Sequence, residues 1–410
     1  MSASIRKNGL NVADIGSYLL MVFAFTFPIY VALGNLVAAL IILLWLFEGR
    51  FAEKWQEARN NPVVVSFLIF VAIHLLGMLW TTDLAWGLVI LKKQWKFLLL
   101  PIFMSFVRRE HVRYYILAFL LAISMSELLS YAIWFGLIPP FGSATAENPT
   151  PFMSHISYNP FLAFAVYLLL ENLLFGETLS RWQRFAYGIF VCTMTVNMFI
   201  TGGRAGQIMY FLVLALVAFQ FFKKNLLKAL LFCGVFIPAI FLLSYNSSQI
   251  FHERVDLAVY QVSHFEEMRK DVAQMQVSSV GLRLTYFLNS LEIIRNHPLF
   301  GVGTGDFRLA YAVINQKNSP GIDLPDHPHN MYLLVGTQLG LVGLLIFLSI
   351  FRNQIKQALK SDDPVRQAVG IGMPLLFMVI MLSDTYLLGH YTTLLFVFFS
   401  AILYKNYEPA

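Results

Sequence analysis

LLKALLFCGVFIPAIFLLS, residues 226–244, is an apolar run of nineteen residues whose one charge, Lys228, stands near its start. Crossing the hydrocarbon core of a bilayer takes about 20 such residues in an α-helix. A helix is also the form in which such a run satisfies its own backbone polar groups in lipid. Similar runs fall at 15–33, 34–47, 62–80, 86–107, 113–135, 157–175, 185–201, 205–222, 330–350, 367–386 and 390–405. Twelve spans need roughly 240 apolar positions, and 58% of 410 residues supplies nearly that number. A soluble domain is about 25% charged, whereas this chain is 13% charged with a mean hydropathy of +0.66. The sequence thus predicts an all-α polytopic membrane protein of about 12 transmembrane helices. The second run is short, and Gly34-Asn35 is expected to turn it back as a hairpin partner of the first.

The net charge of +6 belongs to topology rather than to a nucleic-acid partner. With both termini cytoplasmic, the inside loops hold eighteen of the 29 basic residues, from Arg6 and Lys7 through Arg108, Arg109 and Arg366 to Lys405. The short outside loops hold one, Arg204. That is the positive-inside pattern, which long translocated segments escape. The opening MSASIRKNGL leads into the first run without a small-residue cleavage site, so this span is expected to be retained. Cys192 and Cys233 both lie in apolar runs, where buried packing is expected and neither a disulfide nor a zinc site is implied.

Three regions follow: 1–244 with nine membrane helices, an outer helical segment at 245–329, and three more membrane helices in 330–410. Within the segment, QIFHERVDLAVYQVSHFEEMRKDVAQMQ and GLRLTYFLNSLEIIRN have helical apolar spacing, and His297-Pro298 ends the second. FGVGTGDF then makes a glycine-rich turn before LAYAVINQ. The pattern describes two or three amphipathic helices lying over the membrane part.

Residues able to carry chemistry gather on the outer side. Arg204 in TGGRAG combines a glycine turn, a helix N-terminus and a permanent charge, the ingredients of an anion site. The bland alternative is an arginine snorkelling to headgroups. Arg283 shares its segment with Arg254, Arg269, Arg295 and Arg308, so charge alone does not single it out. His327, His329 and Asn330 stand just before the tenth span, where a histidine suits a general base. A metal would need Asp326, Asp384 or His390 to converge on the histidines, and no compact ligand spacing supplies that. The other reading of the histidines is that they cap a helix. In LKKQWK, Lys92 and Lys96 are four apart and share a helix face with Lys93 offset, a patch for lipid phosphate or for snorkelling. His74, Glu127 and Glu171 are expected to make interhelical hydrogen bonds.

HPHNMYLLVGTQLGLVG, residues 327–343, resembles the His-Asn-x-Tyr-Leu motif of the O-antigen ligase and O-antigen polymerase superfamily. The run 278–307, an arginine before an amphipathic helix and then Pro-Leu-Phe-Gly-Val-Gly, is similar to that family's outer-loop pattern. TGGRAG is similar to its arginine-bearing turn, with Gly203 where many members place serine. The resemblance implies a GT-C-like fold in the bacterial inner membrane and a glycosyltransferase site on the periplasmic face. Its donor would be O-antigen on undecaprenyl diphosphate and its acceptor a sugar hydroxyl of lipid A–core. Reaction with inversion and without metal or other cofactor is implied, with Arg204, Arg283 and His329 as catalytic residues. Lys92, Lys93, Lys96, His327 and Asn330 are assigned to substrate binding. Membrane lipids are the other expected partners. The alternatives are an O-antigen polymerase and, in a different class, a transporter or flippase, whose matched pair of broken helices the sequence does not display.

Overall fold

The computed structural model describes residues 11–176 and 179–407. Arg6 and Lys7, and the expected uncleaved N-terminal stretch, lie outside the described residues. The described residues form helices and turns without strands, so the chain is an all-helical multi-pass membrane protein. Seven helices are long and apolar enough to cross a membrane, and Val12–Thr26, Pro364–Ile380 and His390–Leu403 are shorter apolar helices. Arg181–Ile200 falls on the seventh expected run. Length and apolarity alone therefore mark fewer than the twelve runs counted in the sequence.

Three boundaries depart from expectation. The first turn comes at 27–30 rather than Gly34-Asn35, because Pro28 cannot supply the N–H that would continue the helix past Thr26. The fourth run is broken into Leu84–Gln94, a 3-10 turn Trp95–Leu98, and Leu99–Phe106. That change of pitch separates lysines expected on one face: Lys92 is exposed while Lys96 is buried. The eleventh run ends at Ile380, leaving 381–389 as a connecting turn.

Between helices in lipid the hydrophobic effect is small, and close packing takes its place. Phe27 shows how: its ring meets those of Phe119, Phe161 and Phe398 at 6.1, 5.9 and 5.8 Å. His390–Leu403 is buried from Thr392 to Leu403, which suits a helix apolar on every side. Cys192 is exposed and Cys233 partly so, against the expected buried packing, because both lie on bundle faces without a neighbouring helix. His74 bonds within its own helix, to Phe70 O at 2.8 Å, and neither Glu171 oxygen has a hydrogen-bond partner; the expected interhelical bonds are not formed by these two.

Segment 245–329 holds three longer helices, Gln249–Ser263, Ser279–Asn296 and Phe307–Asn318, with two short ones between the first pair. The glycine-rich turn locks it to the bundle. Met331–Ala358 is interrupted at Gly340, whose φ of 61° is left-handed and whose missing Cβ leaves room for Leu299. The backbone groups freed at the break are taken up by the loop. Val302 N donates to Thr337 O and Gly303 N to Gln338 O, both at 2.9 Å, while Leu341 N donates to Pro298 O at 2.8 Å and Val342 N to Leu299 O at 3.2 Å. Asp306 then accepts from Thr82 N and Asp83 N at 2.7 and 2.8 Å. A glycine-rich stretch that reads as a loose turn is therefore a backbone joint.

Candidate functional site

The turn 201–203 is built around Asn159, on the neighbouring helix His155–Phe175. Asn159 Oδ1 accepts from the Thr201 hydroxyl at 2.8 Å, and its Nδ2 donates to Met198 O and Gly203 O at 3.3 Å each. A Cβ on Gly203 would lie 2.6 Å from the Asn159 amide, and one on Gly206 2.2 Å from Asn159 Cβ. Close approach, not a special backbone angle, makes these positions glycine. Gly202 N donates to Asn148 Oδ1 at 2.8 Å. Arg204 then opens its helix half-buried, with an N-cap that makes no side-chain bond.

Two arginines of segment 245–329 reach the same place. Arg254, on Gln249–Ser263, sets its guanidinium beside Gly202, 3.7 Å from where a Cβ would stand. Arg204 feels the charge of both Arg254 and Arg283. The helices carrying those two are tied together, since Gln261 Oε1 accepts from Val280 N at 3.1 Å. The other arginines separate cleanly: Arg269 and Arg295 are exposed, while Arg308 lies over the Trp86 ring and 3.5 Å from Asp326. No sequence pattern singles out Arg254, because its proximity arises only when the segment folds back over 201–203.

Tyr286, one turn after Arg283 on the same helix face, stacks on the His329 ring with centroids 6.0 Å apart. His327 and His329 have ring centroids 4.5 Å apart. A residue before proline favours extended backbone, which by itself does not require the two side chains to share a pocket. His329 adopts a left-handed φ of 49°, which turns both imidazoles to one side. Such a conformation in a non-glycine residue costs of order 1–3 kcal/mol and persists where the surroundings enforce it. Both Nδ1 atoms face Asp384 Oδ1, at 3.8 Å from His327 and 3.3 Å from His329.

Asn330, assigned to substrate binding from the resemblance, makes structural hydrogen bonds. Its Oδ1 accepts from Tyr332 N and Leu333 N at 2.9 and 3.1 Å, capping the helix, and its Nδ2 donates to Leu382 O at 3.0 Å. With Met331 N bonded to Met381 O at 2.9 Å, this fixes the turn bearing Asp384 against the histidines. The motif's asparagine thus builds the pocket in which its histidine sits.

Burial pushes the Asp384 carboxyl up, but the adjoining His329, the Thr385 N–H at 2.7 Å and His327 together hold it below the ordinary carboxylate range. His327 is depressed to about 4, first by burial and then by the charges of His329 and Lys93, with Asp384 opposing. At neutral pH the pocket therefore holds an ionised Asp384 beside a neutral His327. The charge of Lys93 acts on His327 and that of Lys96 on His390, while Lys92 is exposed. His327, His329 and Asp384 offer donor atoms within 4.8 Å of one another, a donor set chemically suited to Zn²⁺ and one ligand short of a closed site. Of the residues weighed for that role, Asp326 turns to Arg308 and only Asp384 joins the histidines.

Residues 189–348 match a family model described as O-antigen ligase. Members of that family are glycosyltransferase-like enzymes of lipopolysaccharide and glycan assembly, with lipid-linked substrates. The matched region contains Arg204, Arg254, Arg283, His327 and His329, and it excludes the lysines and Asp384. No curated protein matches the chain.

Proposed function

We propose that this protein, whose match supports the O-antigen ligase superfamily, is the ligase itself. It would transfer glycan from undecaprenyl diphosphate to a sugar hydroxyl of lipid A–core at the periplasmic face of the inner membrane. The observation that carries the reading is His329, set 3.3 Å from Asp384 beside arginines without carboxylate partners.

Asp384 orients the imidazole through Nδ1 and leaves Nε2 free for the acceptor hydroxyl. As the acceptor oxygen bonds to the anomeric carbon, the carbon–oxygen bond to the diphosphate breaks. The proton passes to His329, and the electron pair leaves on the diphosphate. Attack opposite the leaving group inverts the anomeric centre. Arg204 and Arg283, with Arg254, stabilise the charge developing on the diphosphate. Donors aimed at developing charge are worth roughly 3 kcal/mol each, and proton removal adds about 10²–10⁴-fold. A metal is not needed in this scheme.

The test uses purified protein with lipid-linked glycan and lipid A–core, with and without EDTA. We expect His329→Ala to lose most activity, His327→Ala to keep a substantial part, and EDTA to change little. Equal loss in both variants together with EDTA inhibition would replace the base by a metal centre. In cells lacking the protein, long glycan should accumulate on the lipid carrier while lipopolysaccharide stays rough. Lipopolysaccharide capped with a single repeat would make it a polymerase instead.

A further inference from the structure

Lys96 is only 5% exposed, yet its Nζ has one hydrogen-bond acceptor, Lys93 O at 3.5 Å. Among the described residues no carboxylate stands at ion-pair distance from it. The 3-10 turn that carries it packs against the helix His390–Leu403, and its charge acts on His390, whose Nε2 is itself buried without a partner. His390 is the first residue of the central helix His390–Leu403, and the N-cap Gly389 makes no side-chain bond. The free N–H groups of that first turn therefore add their partial positive charge to the same corner. Gln94, two residues before Lys96 and 1% exposed, has neither amide atom bonded. A buried lysine, an unpartnered imidazole and an uncapped helix start are together the donor set of an oxyanion site. Nothing in the proposed transfer step uses them.

The helix Leu84–Gln94, which leads into the corner, is tied to the stretch bearing the histidines by Arg308, which lies over the Trp86 ring and 3.5 Å from Asp326, and the Lys93 charge acts on His327. The arginines adjoin the pair from elsewhere, Arg283 through Tyr286 stacked on His329. Inversion requires the leaving diphosphate and the incoming hydroxyl on opposite faces of the anomeric carbon. If the arginines hold the diphosphate, the lysine corner borders the acceptor.

We infer that Lys96, His390 and the start of His390–Leu403, assisted by Lys93, bind a phosphate group carried by the acceptor glycolipid. The inference rests on the ligase reading for the identity of that acceptor. It makes the enzyme selective for acceptors phosphorylated near the accepting sugar.

The experiment compares wild type, Lys96→Met and His390→Gln, using lipid A–core with its phosphates intact or removed. Methionine removes the charge of Lys96 at similar length, and should that variant not fold, Lys93→Gln and His390→Gln take its place. Acceptor binding is measured without donor, and KM is measured for each substrate. In wild type, removing phosphate should weaken acceptor binding about tenfold or more. Lys96→Met should bind both acceptor forms alike while its donor KM stays within about twofold. Equal binding of both forms by wild type, or a rise confined to donor KM in Lys96→Met, would overturn the inference. If wild type transfers no glycan but binds phosphorylated acceptor in a Lys96-dependent way, the ligase reading fails and the phosphate site stands.

Discussion

Two groups of cations at opposite ends of the helix bundle have opposite surroundings. At the end formed by the loops assigned to the inside, cations meet carboxylates: Arg108 lies 2.8 Å from Asp14, Lys54 2.8 Å from Glu48, and Asp362 serves Arg109 at 2.7 Å and Arg366 at 2.6 Å. At the other end Arg204, Arg254, Arg283, Lys93 and Lys96 have no carboxylate within ion-pair distance among the described residues. Paired surface charges contribute little beyond about 1 kcal/mol. Half-buried cations without partners have lost hydration without compensation, so an anionic ligand gains what the protein leaves unsatisfied. Cavity size does not identify the site. A cavity of about 570 Å³ lies at the paired end, lined among others by Arg109, Asn172, Asp362 and Arg366, and Arg109 and Arg366 there already share a carboxylate.

The contrast is broken most directly by exchanging its two kinds of arginine. Arg204→Ala should lower transfer by about a hundredfold or more, the effect of losing one donor to developing charge. Arg204→Lys should recover only part, since an ammonium lacks the planar two-pronged donor. Arg109→Ala, at the paired end where the pair with Asp362 is exposed, should leave transfer within about twofold of wild type. Full activity in Arg204→Ala would show that an unpaired cation here is only an uncompensated charge.

Labelling decides which side each end faces. In a background lacking Cys192 and Cys233, Asp323→Cys should react with an impermeant thiol reagent applied from outside, and Lys360→Cys should not. Both positions are exposed. Reaction at 360 but not at 323 would invert the topology and take the site with it.

A smaller effect sharpens the comparison within the cationic end. Arg254→Ala should raise donor KM by about tenfold while sparing kcat more than Arg204→Ala does, since it assists the pair from the overlying helix. An unchanged donor KM would return Arg254 to the solvated surface with Arg269 and Arg295.

The smallest effect concerns protons. His327 is held near 4 in the folded protein, below the ordinary 6.5. As pH falls below 6.5, the unfolded chain takes up a proton that folded His327 refuses, so stability falls, by up to about 2 kcal/mol at pH 5. Asp384, lowered from an already acidic value, contributes stability that is lost only below this window. Thermal unfolding in detergent at pH 7 and pH 5 should therefore show a larger loss in wild type than in His327→Asn. An equal loss would mean that His327 titrates as freely as an exposed imidazole.

Much of this was legible in the chain itself. The apolar runs located the helices because a membrane span must satisfy its own hydrogen bonds over a fixed length. Arg204 was marked by its isolation among short outer loops and His329 by its motif. What escaped was whatever depends on backbone detail or on distant elements meeting. The 3-10 turn at Trp95–Leu98 separates Lys92 from Lys96, and no spacing rule reveals such a turn. The left-handed turn at His329 brings His327 alongside it, and no sequence pattern announces a left-handed histidine. Asp384, 55 residues after His329, was one of three residues weighed beside the histidines, and only the fold selects it; Arg254, 75 residues before His329, comes beside Gly202 only when its helix folds back.

The interruption at Gly340 has a mechanical meaning. A cap held by side chains alone hinges readily, but this one is welded through four backbone hydrogen bonds to the edges of a break inside a bundle helix. Swinging it aside would strip those amides and carbonyls where little water can replace their partners, at a cost well above the roughly 1 kcal/mol of a bond exchanged in solvent. The roof over the arginines and the wall bearing His329 therefore move as one rigid piece. For a substrate whose tail stays in the bilayer, the low-cost path is lateral, through a seam between helices, much as a drawer slides beneath a fixed top.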